Sequence, residues 1–267
     1  MGCASPCGHG IDAHTKDKGL VPSPETKPCS TEGGDCRYFE RQLSNVRPNI
    51  VCVTKSNMKL SSQDLEKLAG LTLEHYNRQA EDFWEGTHDH DVSQNIAALL
   101  QYIEGAPPFT ILDFGCGPGR DLKVFAELGH SAVGLEGAAR FAAMARAHSG
   151  CEVWQQDFLK LGLPDDRFDG VFANAALFHV PSQELPRVLL ELRAALKRGG
   201  VLFSSNPHGH NEEGWNRGRY GAYHDLESWR HYMSAAGFVE LIHYYRPVGL
   251  PLEQQPWLAS VWRRSAS

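Results

Sequence analysis

Long apolar runs are missing from this chain of 267 residues: none approaches the roughly 20 residues needed to cross a bilayer, so no membrane span is expected. A basic excess is missing too. Lys and Arg number 26 against 32 Asp and Glu, and the net charge of −6 argues against a nucleic-acid face. The first residues lack the basic-then-apolar layout of a secretory signal, and the first arginine, Arg37, comes too late for a mitochondrial transit peptide, so a cytoplasmic protein is expected. The myristoylation pattern wants Ser or Thr at position 6, where Pro6 stands. Seven cysteines do not form a framework. Cys3, Cys7, Cys29 and Cys36 fall in the first 40 residues without a repeated Cys-x-x-Cys knuckle, and no metal site is expected.

What is present is an ordinary globular composition, 42% hydrophobic and 22% charged, laid out in three stretches. Residues 1–60 are rich in Gly, Pro, Ser and Thr and have little apolar periodicity. They predict a mostly disordered leader, with only 50–54 strand-like. Residues 61–108 carry apolar side chains at helical spacing and predict an N-terminal helical cap, in which Tyr76, Phe83 and Trp84 serve either the core or the site. From residue 109 strands and helices alternate. Strands are predicted over 109–114, 131–136, 152–156, 168–174 and 200–205, with helices over 121–128, 138–147, 182–196 and 226–236. Two further strands, 239–245 and 258–263, have no helix between them and predict an antiparallel pair at the sheet edge. This is an α/β pattern, a doubly wound and mostly parallel sheet with helices on both faces. No internal repeat is visible, and both a monomer and a homodimer remain open.

The chemistry concentrates at Ile-Leu-Asp-Phe-Gly-Cys-Gly-Pro-Gly-Arg, residues 111–120. Three alternate glycines between a strand and a helix let a ligand approach the main chain. A P-loop would carry Lys-Ser/Thr, and the nicotinamide pattern Gly-x-Gly-x-x-Gly fails at Arg120. Glu136 ends the next apolar run, where a carboxylate can accept hydrogen bonds from both ribose hydroxyls of an adenosine.

Asp113-x-Gly115-x-Gly117-x-Gly119, with Glu136 after it, resembles the first motif of the class I S-adenosylmethionine-dependent methyltransferases of small-molecule type. The resemblance covers 109–263 and implies their Rossmann-like fold, a seven-stranded sheet with an antiparallel final strand, in a domain spanning 109–267. It implies S-adenosyl-L-methionine as cofactor. The backbone of Gly115, Gly117 and Gly119 would approach the methionine part, with Cys116 and Gly137 in the same turns, and Asp113 would order the loop or reach the cofactor amine. Asp157 would take the adenine amino group, Phe158 would pack on the ring or belong to the core, and Asn174 would lie at the cofactor after the fourth strand. The Asn-Pro-Pro-Tyr/Phe signature of nucleobase and Gln methylation is absent, since Asn174-Ala175-Ala176-Leu177 stands there.

On the acceptor side His179 is a base, a substrate contact or a packing residue. Residues 206–225 predict a long polar, aromatic loop over the crevice, offering Arg219 and Tyr223 for substrate and Tyr220 and His224 as further proton acceptors. Tyr76 and Trp84 of the cap complete the expected substrate contacts. The expected activity is methyl transfer to a small polar molecule. A non-catalytic cofactor-binding module and, further off, a nicotinamide enzyme are the alternatives.

Overall fold

The structure, a computed structural model, describes residues 51–52 and 59–266. The rest of the predicted leader, with its four early cysteines, lies outside the described residues.

Apolar periodicity and capping set the cap helices. Helix α1 (Ser62–Arg78) starts at a capping box in which Ser61 and Asp64 satisfy each other's backbone amides. Short α2 (Ala80–Glu85) and α3 (Ser93–Tyr102) follow. The alternation then appears as predicted, to within a few residues: β2 (Thr110–Phe114), α4 (Arg120–Glu127), β3 (Ser131–Glu136), α5 (Ala139–Ser149), β4 (Glu152–Gln155), β5 (Phe168–Asn174), α6 (Leu185–Ala195) and β6 (Leu196–Pro207). Beyond the sixth strand come β7 (Glu212–Asn216), β8 (Arg219–Tyr223), α7 (Leu226–Ala235), β9 (Phe238–Arg246) and β10 (Trp257–Arg264).

Seven strands make one sheet in the order β4-β3-β2-β5-β6-β10-β9. The five from β4 to β6 are parallel; β10 runs antiparallel to both β6 and β9, so the predicted late pair forms the edge. Pleat alternation splits the core between two faces. Leu112, Val171, Ala173 and Leu202 pack under α6 and α7 on one face, while Ile111, Phe172, Val201 and Phe203 pack under α3 and α4 on the other. Each such apolar side chain contributes about 1.5–3 kcal/mol on burial. Strand order reverses between β2 and β5, which opens the binding crevice of a doubly wound sheet above the carboxyl ends of those two strands.

One expectation fails. Residues 206–225 are not one long loop: they finish β6 and, after a short link, form a β-hairpin of β7 with β8. The two-residue strand β1 (Val51–Cys52) pairs with β7 to make a second, three-stranded sheet. Arg217 and Gly218, both at positive φ, make the tight turn, and the aromatic residues on either side pair across the ladder, Trp215 with Tyr220. Polarity masked this alternation, because few of the hairpin's side chains are aliphatic.

Candidate active site

The glycine turn is held from below. The amides of Gly115 and Cys116 both donate to the Leu135 carbonyl, at 2.8 and 3.1 Å, which closes the loop over the end of β3. Gly115 and Gly119 are the tight positions. A Cβ at Gly115 would come within 2.5 Å of the Ala176 Cβ, and one at Gly119 within 2.8 Å of the Ala145 Cα, where α5 crosses α4. Gly117 also has positive φ, yet its ideal Cβ meets only Phe83, at 4.0 Å. Main chain is therefore exposed toward the crevice there, the requirement for close approach of a ligand. Cys116 enters this loop by its backbone alone. Its thiol is buried among Leu122, Ala142, Ala145 and Val153, so its side chain serves the core.

Buried acids surround the turn. Glu136 accepts from the Gly117 amide at 2.9 Å and from the Ala138 amide at 2.8 Å. Burial pushes its carboxyl up to about 7 against the pull of the Ala138, Gly117 and Gly137 amides. Asp113 is 2% exposed, and its Oδ2 has no hydrogen-bond partner. Burial, then the neighbouring Asp121, holds its pKa well above the usual carboxylate range. An unsatisfied buried acceptor beside open main chain suits a ligand carrying ammonium or sulfonium charge.

A polar network the sequence did not announce ties this turn to the cap. Tyr244 donates to Asn95 Oδ1, Asn95 Nδ2 to Asn174 Oδ1 and Asn174 Nδ2 to Asp121 Oδ2, each at 3.0 Å. Arg120 grips Asp121 through Nε and Nη2, at 2.6 and 3.0 Å, and donates from Nη1 to the Thr87 carbonyl. Asn174 thus holds the first turn of α4. Asn95, fully buried on α3, is the connecting member; a polar side chain on an otherwise apolar face was the available signal.

Helix α1 closes over both halves. Leu73 lies on Gly137, at 2.6 Å from its ideal Cβ, and Tyr76 packs against Phe83 and Phe141 at ring distances of 5.9 and 5.5 Å. The Tyr76 hydroxyl meets His179 Nε2 at 2.7 Å, and His179 Nδ1 meets the Tyr220 carbonyl at 2.6 Å. A carbonyl only accepts, so Nδ1 carries the proton and Nε2 accepts from Tyr76. Burial, then the charge of Arg219, drives the His179 pKa down to about 3. Arg219 reaches this pair from β8, its guanidinium carbon 5.9 Å from the Tyr76 ring centroid. The hairpin is fastened there because the Tyr220 amide donates to Thr72 Oγ1 on α1.

Tyr76, His179 and Arg219 therefore meet, and the other expected acceptor-side residues stand apart. Trp84 turns to His88 and His148, leaving Phe83 against Tyr76. The Tyr220 phenol, its pKa raised by burial and by the charge of Glu213, is no base at neutral pH; its contribution is the carbonyl. The His224 ring packs on Tyr232 and Trp229, and Tyr223 accepts from Asn216. Phe158 stacks on Phe114 at 4.3 Å beside Gly115, and Asp157 Oδ1 accepts from the Leu159 amide within its own turn.

Residues 112–204 match the family model described as a methyltransferase domain. The chain carries a class I S-adenosylmethionine-dependent methyltransferase domain. It is 30% identical over 188 residues to a sterol 24-C-methyltransferase of Aspergillus fumigatus, covering 67% of this chain and 46% of that protein. It is 32% identical over 105 residues to a trans-aconitate 2-methyltransferase of an Azoarcus species, 39% of this chain and 41% of the other. Across four curated relatives the chain spans from 30% to 53% of their lengths. In fold the domain is similar to the 1,6-didemethyltoxoflavin N1-methyltransferase of Burkholderia thailandensis, solved with 1,6-didemethyltoxoflavin and S-adenosylhomocysteine (TM-score 0.64, 19% identity, 79% of this chain and 93% of the other). Among the described residues no helix is long and apolar enough to cross a membrane, and no three His, Cys, Asp or Glu converge as a metal site.

Proposed function

We propose that this protein transfers a methyl group from S-adenosylmethionine to a small polar molecule. The observation that carries the reading is the pairing of exposed main chain at Gly117 with the buried Glu136 carboxylate, directly beside the Tyr76–His179–Arg219 cluster. When bound, S-adenosylmethionine supplies an electrophilic methyl group. The residues that would hold it are Gly115, Gly117 and Gly119 through main chain, Glu136 at the ribose, and Asp113 toward the amino-acid end. Asp157, Phe158 and Asn174 sit at the ends of β4 and β5 as supports of the adenine and methionine ends, Asn174 acting through Asp121.

In-line displacement needs little covalent help, so the protein's work is positioning and exclusion of water. Helix α1 does both. It covers Gly137 with Leu73 and sets Tyr76 between Phe141 and His179. A small polar acceptor is favoured by the chemistry of the cluster, a guanidinium, a phenol and an imidazole, none of which suits a sterol nucleus. The curated relatives named above act, by their names, on both kinds of molecule. A negative net charge speaks against nucleic acid. The test is direct: purified protein is titrated with S-adenosylhomocysteine by calorimetry, then incubated with methyl-labelled S-adenosylmethionine and fractionated metabolites. Saturable binding and a labelled product are expected. No binding, or NADH binding more tightly, overturns the reading.

A further inference from the structure

Resting on that reading, we propose that the acceptor is a small carboxylate, seated on Arg219 and methylated on oxygen, with Tyr76 and His179 as positioning residues. The hydrogen bonds around His179 run one way. The Tyr76 hydroxyl donates to His179 Nε2 at 2.7 Å, and His179 Nδ1–H donates to the Tyr220 carbonyl at 2.6 Å, with the Arg219 guanidinium over the Tyr76 ring. Both imidazole nitrogens are committed. To act as a base, His179 would have to release Tyr76 and then hold a cation, fully buried, beside the cation of Arg219. The titratable groups that face it, Arg219 and His75 from the hairpin and α1 and Tyr76 from α1, all work against that charge or add none. Tyr76 itself is buried with its phenol pKa raised. The remaining expected bases stand elsewhere: the Tyr220 phenol beside Glu213, His224 against Tyr232 and Trp229.

An amine, alcohol or thiol reaches such a site with a proton that must leave, and nothing in the cluster takes it. A carboxylate arrives ionised at any pH above about 4–5 and brings free lone pairs. A guanidinium presents paired N–H donors in the geometry a carboxylate accepts. The chemistry then balances without proton transfer. One carboxylate oxygen forms the O–CH₃ bond with its lone pair, the S–CH₃ bond breaks with its electrons remaining on sulfur, and an anion and a sulfonium become a neutral ester and a neutral thioether. Because both charges vanish, removing water from around them favours the reaction, and Tyr76 and His179 are the buried floor of this half.

The experiment uses the full-length protein, methyl-labelled S-adenosylmethionine and a metabolite extract split on an anion exchanger into bound and unbound pools. Methyl esters release labelled methanol in alkali; N-, S- and C-methyl groups and ethers do not. Label is expected only with the bound pool, nearly all of it volatile after alkali. Arg219→Gln should lower kcat/KM at least about tenfold through KM, with Arg219→Lys restoring part of the loss and S-adenosylhomocysteine affinity within about threefold of wild type. A readout independent of turnover is ¹⁵N NMR of the histidines. His179 should hold the neutral Nδ1–H form from pH 5 to 9 and lose its Nε2 hydrogen-bond shift in Tyr76→Phe. An alkali-stable product, label confined to the unbound pool, or a His179 that titrates in that range overturns the carboxylate assignment while leaving methyl transfer intact. Donor that binds without labelling either pool overturns methyl transfer itself.

Discussion

The two halves of the crevice are built on opposite plans. The groups expected to touch the methyl donor's amino acid and ribose lie between Asp113 and Ala138, in one strand–turn–helix–strand unit whose glycine turn is hydrogen-bonded to the end of its own second strand. The acceptor half gathers Tyr76 from a cap helix, His179 from a 3-10 turn and Arg219 from a hairpin, with Thr72 and Leu73 doing the fastening. A contiguous site is fixed by local conformation. A gathered one exists only if the cap and the hairpin dock. The donor half should therefore fail through point changes in the loop, and the acceptor half through changes that loosen contacts between elements.

The largest effect should come from the turn itself. Gly117→Val places a β-branched side chain at φ +53°, where it is strained, and covers the exposed main chain; Glu136→Gln removes a charged acceptor. A charged hydrogen bond contributes about 1.5–3 kcal/mol, roughly ten- to hundredfold in affinity. Calorimetry with S-adenosylhomocysteine should show at least that loss in each variant, with secondary structure by circular dichroism unchanged. Affinity within threefold of wild type in both would remove the donor half from this turn.

A smaller effect should fall on the seam between the halves. Asn95→Leu leaves the Tyr244 hydroxyl and the Asn174 amide each short of a partner in a buried network. An unsatisfied buried group costs about 1–3 kcal/mol, and about 2 kcal/mol moves the Tm of a domain this size by about 4–8 °C. Because the network ends on Asp121 and Arg120, donor affinity should fall as well, while Asn95→Gln or a change at Tyr244 alone should do less. A Tm unchanged by Asn95→Leu would make the network ornamental and uncouple cap from loop.

The same contrast explains what could be read from the chain alone. The strands and the glycine turn are legible because each follows from near-neighbour rules: apolar runs, glycines at alternate positions, an acid ending a strand. Tyr76, His179 and Arg219 could be named one by one as candidates, but their meeting depends on how α1 and the hairpin pack, which no local pattern encodes. Trp84 and Phe83 show the limit well. They are adjacent, either ring fitted the site, and only the docking of α2 against α5 puts Phe83 inside and Trp84 on His148. The hairpin reads as a loop in sequence because its strands carry Gly, Asn, Arg and Tyr in place of aliphatic residues, which hides the period-two alternation. The Asn95–Asn174–Asp121 network joins three separate elements; Asn95 stands out as a polar residue on an apolar helix face, but its partners are set by packing and no local pattern names them.

The smallest effect is a pH dependence that separates the halves. The Glu136 carboxyl stands at about 7 because burial outweighs the loop amides, against an ordinary value of 4.5. In the free protein a raised carboxyl pKa stabilises the fold below 4.5 and loses that contribution as pH rises through 7, so Tm should drift down over this range. Ligand binding should run the other way, since two ribose hydroxyls are held better by a carboxylate than by an acid. The probe should be methylthioadenosine, which keeps the ribose and lacks the titrating amine of the full donor. Its affinity should rise about tenfold between pH 6 and 8 and level off above. The acids and phenol that feel Glu136, namely Asp113 and Tyr76, are themselves raised, so the control is Glu136→Gln, in which the slope should vanish. His179, already neutral throughout this range, should add no inflection to binding or to turnover. A slope that survives in Glu136→Gln but disappears in His179→Gln would place the titrating group in the acceptor half and reverse the assignment of the two halves.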